Sequence, residues 1–249
     1  MMSSFWNRSV SSVLDLIYPP MCACCQSALE IDVGCTDSRI CEDCFVDLDF
    51  WTGSCCRQCG ASVGPNLEGQ TNCRFCLKDR FVFSETIALG QYKNELKRSI
   101  LIGKYEAGEP LLGQLAHALF AIRESRLREM RLELVIPVPQ HWRTRLRRSY
   151  NSAEVLATRL ASDLKIPIAT HSLRKSRSTP EQTSLTATQR RKNLRGAFQT
   201  LFPRRIRGKR ILLVDDVMTT GSTAHACAQT LKQADAQEIF VAVIARGLG

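Results

Sequence analysis

The sequence predicts an α/β protein in which a cysteine-rich N-terminal module precedes a parallel-sheet domain. Three observations carry this prediction. Eleven of the twelve cysteines lie before residue 77. The run Ile211-Leu212-Leu213-Val214 reads as a strand buried on both faces, as in a parallel sheet. Asp215, Asp216 and the turn Thr219-Thr220-Gly221-Ser222-Thr223 follow it, and Ala224 to Ala234 then reads as a helix. Open α/β sheets bind ligands just outside the carboxyl ends of their strands. The turn offers backbone N–H groups, hydroxyls and a helix N-terminus, a set suited to a phosphate. The adjacent carboxylates would repel that phosphate, so they must face something else, sugar hydroxyls or a bound Mg²⁺. A sugar 5-phosphate satisfies both halves, with its phosphate in the turn and its ribose hydroxyls on Asp215 and Asp216.

Charge divides the chain in the same place as the cysteines. Residues 1–80 hold six Lys/Arg against ten acids, and the remainder holds 28 against 14. We therefore read a mildly acidic module over 1–80 and a strongly basic one over 81–249. The basic excess suits polyanionic ligands such as nucleic acid or polyphosphates. A 44% apolar content supports a real core, and no apolar run reaches transmembrane length, so no membrane insertion is expected. Met1 to Ile17 has helix-like apolar spacing (Phe5, Trp6, Val10, Val13, Leu14, Ile17) but no signal-peptide h-region or cleavage site. It reads as a short amphipathic helix on its own protein, with a membrane-surface or partner contact as the alternative. A reduced, cytoplasmic setting follows from the lack of an export signal beside so many cysteines.

Four Cys-x-x-Cys knuckles occur in order: Cys22/Cys25, Cys41/Cys44, Cys56/Cys59 and Cys73/Cys76. Two knuckles supply the four thiolates of a tetrahedral metal site. Sequential pairing gives two sites, the first two knuckles and then the last two, with one or two structural zinc ions. Disulfides or an iron–sulfur cluster are the alternatives. A closed four-cysteine site has no open position for catalysis. Cys24, Cys35 and Cys55 are left over and read as non-ligand thiols.

In the basic module, Phe81 to Tyr92 reads as one or two strands ending at Gly90, and Leu96 to Ile102 as a helix. Lys104 sits in a glycine-flanked loop, either solvated or in contact with pyrophosphate or sugar phosphate. Pro110 opens a helix whose apolar face is Leu111, Leu112, Leu115, Leu119 and Ile122. Leu132 to Ile136 is the next strand, stopped by Pro137-Val138-Pro139 at the sheet's ligand edge. A helix follows from Asn151. Residues 171–210 hold twelve Lys/Arg and one acid, Glu181. Within them, Ser176 to Thr188 reads as a loop, either a lid over a phosphorylated substrate or a solvated linker. Glu238 to Ala245 is the last strand, and Cys227 reads as a small core residue.

The string from Ile211 to Thr223 resembles the PRPP-binding motif of type I phosphoribosyltransferases, a hydrophobic strand, two acids, a short spacer and Thr-Gly. The resemblance implies a Rossmann-like parallel-sheet domain of that type behind an N-terminal double zinc ribbon. It implies that Asp215 and Asp216 are the catalytic acids, that Val217, Met218, Thr219, Thr220, Gly221, Ser222 and Thr223 bind PRPP with Mg²⁺, and that Pro137, Val138 and Pro139 form the pyrophosphate loop. The run Arg148-Ser149-Tyr150-Asn151-Ser152-Ala153 is similar to an Arg-Gly-Phe-Asn-Gln-Ala motif, departing from it at Ser149 and Ser152. Arg177-x-Thr179-x-x-Gln182-x-x-Leu185 and Arg190-x-x-Asn193-x-x-Gly196-Ala197-Phe198 match further family patterns. With the four knuckles, these strings identify the chain as resembling the ComF family, competence-type proteins with a zinc ribbon and a phosphoribosyltransferase-like domain. The resemblance covers almost the whole chain. It implies basic and flexible-loop contacts at Lys104, Arg148, Arg177, Gln182, Arg190 and Asn193.

Two functions follow from the resemblance. The first is a protein of DNA uptake and natural transformation that binds PRPP with Mg²⁺ and single-stranded DNA, with helicase or recombination proteins as partners. Trp142 and Tyr150 among arginines fit a single-strand surface. The alternative is an active phosphoribosyltransferase in nucleotide or nutrient (gluconate-type) metabolism, as in GntX-like relatives. In that case the acids would support a cationic sugar transition state. Purine-salvage enzymes of this fold place an acid two residues before the motif glycine; Thr219 stands there, which disfavours a 6-oxopurine acceptor. Residues 1–80 read as zinc ribbon rather than a glutaminase domain.

Overall fold

The computed structural model describes residues 20–29, 39–64, 71, 73–77, 80–140, 150–177, 194 and 196–248. Its strands are β1 (Glu85–Gln91), β2 (Leu134–Pro137), β3 (Leu173–Lys175), β4 (Phe198–Thr200), β5 (Arg210–Met218) and β6 (Glu238–Arg246). Its α-helices are α1 (Glu42–Asp47), α2 (Asn94–Ile102), α3 (Glu109–Glu129), α4 (Ser152–Leu164) and α5 (Ser222–Gln233).

Four strands form one parallel sheet in the order β1-β6-β5-β2. The two inner strands, β5 and β6, are the longest and pair from Arg210↔Glu238 to Met218↔Arg246. Their β-branched and leucine-rich runs are buried on both faces, which is why they show no polar–apolar alternation. Beyond β2, Ile168 adds a single parallel bridge to Val135 and extends the edge. β3 and β4 make a separate antiparallel pair.

Each face of the sheet carries its own core. On one side Leu212, Val214, Phe240 and Ala242 meet α2, α3 and α4 through Leu96, Ile100, Leu112, Leu115, Leu119, Leu156 and Leu160. On the other, Ile211, Leu213, Val241 and Val243 meet α5 through Ala224, Cys227, Ala228 and Leu231, together with Leu173 and Phe198. Each fully buried aliphatic side chain contributes about 1.5–3 kcal/mol, so the strand–helix–strand unit around β5 is firmly held. The cysteine-rich segment joins both cores: Ile40, Leu48 and Phe50 enter the first, and Cys56, Cys59, Ala61 and Cys76 the second. Buried Glu85 ties the two parts again, receiving Arg126 Nε of α3 at 2.9 Å and lying 3.5 Å from Arg57 Nε.

Local sequence accounts for the helix that faces the acids. Asn151 caps α4, its side-chain oxygen accepting from the Ala153 amide at 3.2 Å, and Lys165 closes the helix in the left-handed region at φ 58°. The predicted strand from Phe81 begins only at Glu85. Phe81 and Phe83 instead stack at 4.6 Å and fill space beside the turn after β5. The predicted strand from Leu132 begins at Leu134; Glu133 before it is pinned to the start of β5, its amide donating to Arg210 O and its carboxylate accepting Lys209 Nζ and the Arg210 amide. The β3–β4 pair has no counterpart in the sequence reading. Met1 to Ile17 and the loop from 178 to 188 lie outside the described residues. Among the described residues, no helix is long and apolar enough to cross a membrane.

Candidate functional site

The cysteines gather as sequential pairing predicts. The sulfurs of Cys22, Cys25, Cys41 and Cys44 lie within 4.8 Å of one another, as do those of Cys56, Cys59, Cys73 and Cys76. The separations are 3.7 Å for Cys25–Cys41, 3.8 Å for Cys56–Cys76, 3.6 Å for Cys59–Cys73 and 3.9 Å for Cys73–Cys76. Four thiolates about 2.3 Å from a tetrahedral zinc stand about 3.8 Å apart, whereas a disulfide needs about 2.05 Å. The geometry fits zinc and rejects disulfides. The knuckle turns are closed by Gln26 N–H to Cys22 O and Gly60 N–H to Cys56 O, with Gln26 and Gly60 in the left-handed region at φ 63° and 70°. The amides of Cys24 and Cys41 both point to Cys22 Sγ at 3.4 Å. Cys24 and Cys55 stand outside the clusters, Cys55 with Arg123 Nη2 3.5 Å from its sulfur. Cys35 lies outside the described residues. Cys227 is fully buried, and burial pushes its thiol up.

Asp215 and Asp216 stand near the C-terminal end of β5, both half-buried. Successive strand residues face opposite sides. Asp216 accepts Ser152 Oγ from the first turn of α4 at 3.0 Å, and its other oxygen accepts the Val217 amide at 2.7 Å. Asp215 accepts the Asp216 amide at 2.9 Å and shares its surroundings with Lys175 of β3 and Cys227 of α5. Burial, then the neighbouring Asp216 charge, pushes Asp215 well above the usual carboxylate range, and Lys104 pulls the other way. Burial and the Asp216 charge also push up the Tyr92 phenol at the end of β1. Two adjacent acids, one resisting ionisation, are poised to take a cation or hydroxyl donors.

The turn after the acids is shaped by Gly221. Its φ is +71°, and a Cβ there would stand 2.8 Å from the Phe81 ring. Thr220 Oγ1 and Ser222 Oγ are 2.9 Å apart, and α5 begins at Ser222, so its first amides lack intrahelical partners. A hollow of about 30 Å³ is lined by Asp215, Val217 to Ala224 and Val243. The Pro137-Val138-Pro139 exit lies alongside, Val138 N–H donating to Val214 O at 2.8 Å. A larger cavity of about 420 Å³ opens between Pro139, Gln140, Asn151 and the Lys175-Ser176 end of β3. The sequence-predicted residues Lys104, Pro137 to Pro139 and Asp215 to Thr223 thus share one edge of the sheet. Arg177 stands exposed just past β3. Arg148, Gln182, Arg190 and Asn193 lie outside the described residues. Ser152, Tyr92, Lys175 and Arg246 also belong to this neighbourhood, and nothing local in the sequence assigns them to it.

These features define a protein of phosphoribosyltransferase fold joined to zinc ribbons. Residues 146–248 match the phosphoribosyl transferase domain family, and residues 13–77 match the double zinc ribbon domain family. Competence protein F of Haemophilus influenzae is 32% identical over 77% of this chain and 84% of its own length. The DNA utilization protein YhgH of Escherichia coli O157:H7 is 29% identical over 78% of this chain and 84% of its own. The chain belongs to the ComF family. Among solved structures, the glutamine phosphoribosylpyrophosphate amidotransferase of B. subtilis is similar at 21% identity and a TM-score of 0.33, covering 60% of this chain and 26% of that one.

Proposed function

We propose that this protein binds PRPP with Mg²⁺ on the C-terminal edge of its sheet and acts in DNA uptake and natural transformation. The observation that carries the reading is the order along β5 and α5: two acids, a left-handed glycine, then a helix N-terminus. In this reading the turn from Thr219 to Thr223 holds the 5-phosphate, Asp215 and Asp216 hold the ribose hydroxyls, and Pro137 to Pro139 with Lys104 face the pyrophosphate and its Mg²⁺. The basic module, residues 81–249, carries single-stranded DNA, and the zinc-bearing module, residues 1–80, braces it. The names of the relatives, a competence protein and a DNA utilization protein, support the DNA side of the reading. Helicase or recombination proteins of transformation are the partners this role implies.

Calorimetric titration of the zinc-replete protein with PRPP, with and without Mg²⁺, tests the ligand. Metal-dependent binding that is lost in Asp215→Ala/Asp216→Ala is the expected result; no binding by folded wild-type protein refutes it. Retention of single-stranded DNA by the Asp215→Asn variant at low salt, weakening as salt rises, tests the second part.

A further inference from the structure

Arg246, the last residue of β6, is 3% exposed, yet four main-chain carbonyls surround its guanidinium. Nε donates to Cys59 O at 2.9 Å. Nη1 donates to Met218 O at 2.9 Å and also to Thr219 O and Gly247 O. One side chain therefore touches a ligand residue of the second cysteine cluster and the two residues that open the turn after β5.

Both contacts have consequences. In a planar trans peptide the C=O and N–H point in opposite directions. Drawing the Met218 and Thr219 carbonyls toward Arg246 turns the Thr219 and Thr220 amides the other way, away from the guanidinium. At the other end, a zinc ion with four thiolates carries two net negative charges, and Cys59 belongs to that centre. A buried guanidinium held by carbonyls suits a position between an anionic metal centre and an anion-binding turn. The packing agrees: Cys56, Cys59 and Cys76 share a core with Met218 and Ala224. Among the described residues the first cluster shows no such connection; its Cys44, with the neighbouring Ala23 and Cys24, packs on the α3 side of the sheet.

We infer that Arg246 is a positioning residue that couples metal at Cys56/Cys59/Cys73/Cys76 to the shape of the 219–223 turn. Zinc at the second cluster and a phosphate in the turn then favour each other, whereas zinc at the first cluster does not sense the ligand. The inference rests on the proposed phosphate role of the turn. Linkage makes the coupling reciprocal, so it is readable from the metal's side.

The experiment follows zinc release from the full-length protein to a zinc-selective chelator, with and without saturating ribose 5-phosphate. The expected result is biphasic release in which ribose 5-phosphate slows one phase about tenfold, within the usual range of such couplings, and leaves the other unchanged. In Cys25→Ser, which keeps the second cluster intact, the remaining zinc is protected to the same degree. Arg246→Lys keeps the charge but has no fork to reach both sides, and it abolishes the protection. Should that variant not fold, the wild-type and Cys25→Ser traces decide. Ribose 5-phosphate that binds by calorimetry yet leaves both release phases unchanged overturns the coupling alone. Absence of any binding removes the phosphate site and the coupling with it.

Discussion

Ser152 donates its hydroxyl to Asp216 at 3.0 Å, joining the first turn of α4 to the C-terminal end of β5. The contact aims one carboxylate oxygen, and the Val217 amide holds the other at 2.7 Å. In the family string this position favours Gln, whose side-chain amide can also donate to a carboxylate. Ser152→Ala is expected to weaken Mg²⁺·PRPP binding about tenfold or more, since a hydrogen bond to a charged group is worth about 1.5–3 kcal/mol. Ser152→Gln is expected to stay within a few-fold of wild type. Calorimetry on both variants checks this, and equal losses in the two would show that space, not the hydrogen bond, matters at 152.

Asp215 trades stability for binding. Burial and Asp216 raise its folded pKa, so the fold prefers the protonated acid. The stability this contributes is fully present below the ordinary carboxylate value of about 3.9 and is lost as pH rises through the raised one. Asp215→Asn removes that loss. It is expected to melt higher than the ligand-free wild type at neutral pH, by about 2–4 °C for each 1 kcal/mol recovered, with the gain shrinking toward pH 4. The same variant is expected to lose Mg²⁺·PRPP binding. Melting curves across that pH range, without ligand, measure the effect; a neutral-pH melting temperature below wild type sinks the argument.

Much of this site is written in contiguous sequence. The apolar run, two acids and glycine turn of β5 and α5 are local, and taking the knuckles in order gives the grouping of eight cysteines that the structure shows. What escaped is non-local or compositional. The predicted last strand stops at Ala245, because a charged residue after an apolar run reads as an exit, so Arg246 drops out just where it is buried. Lys175 is one of many basic residues in 171–210; its neighbourhood with Asp215 exists because β4, which pairs with β3, folds against α5. The Ser152–Asp216 contact spans 64 residues and needs α4 to begin beside the C-terminal end of β5. No periodicity encodes any of these meetings.

Gly221 is fixed by two independent constraints. Its φ of +71° disfavours any L side chain, and its Cβ position lies 2.8 and 2.9 Å from two atoms of the Phe81 ring. Gly221→Ala is expected to cost about 1–3 kcal/mol, the usual scale for a strained backbone position. Adding Phe81→Leu relieves only the ring contact, so the double variant recovers part of the loss and the φ penalty remains. Urea unfolding of the two variants measures the split. Full recovery in the double variant would show that the φ constraint carries no weight.

The two cysteine clusters differ in burial, and their removal is expected to differ in consequence. In the second, Cys56 and Cys59 are fully buried and Cys76 is 1% exposed, all within the core under α5. In the first, Cys22 is fully buried, but Cys25 is exposed, Cys41 and Cys44 are half-buried, and Cys44 only packs against the core edge. Replacing one ligand of the buried cluster removes the zinc that cross-links it inside the core under α5, where the binding free energy of a structural zinc is folding free energy. The first cluster, with Cys25 at the surface, ties less of the core together. Cys59→Ser is therefore expected to lower the melting temperature substantially further than Cys25→Ser, and each to reduce bound zinc by one equivalent from a starting value of two. Elemental analysis gives the stoichiometry, and thermal unfolding gives the ranking. Equal destabilisation by the two variants would mean that the clusters brace the sheet alike despite their different burial.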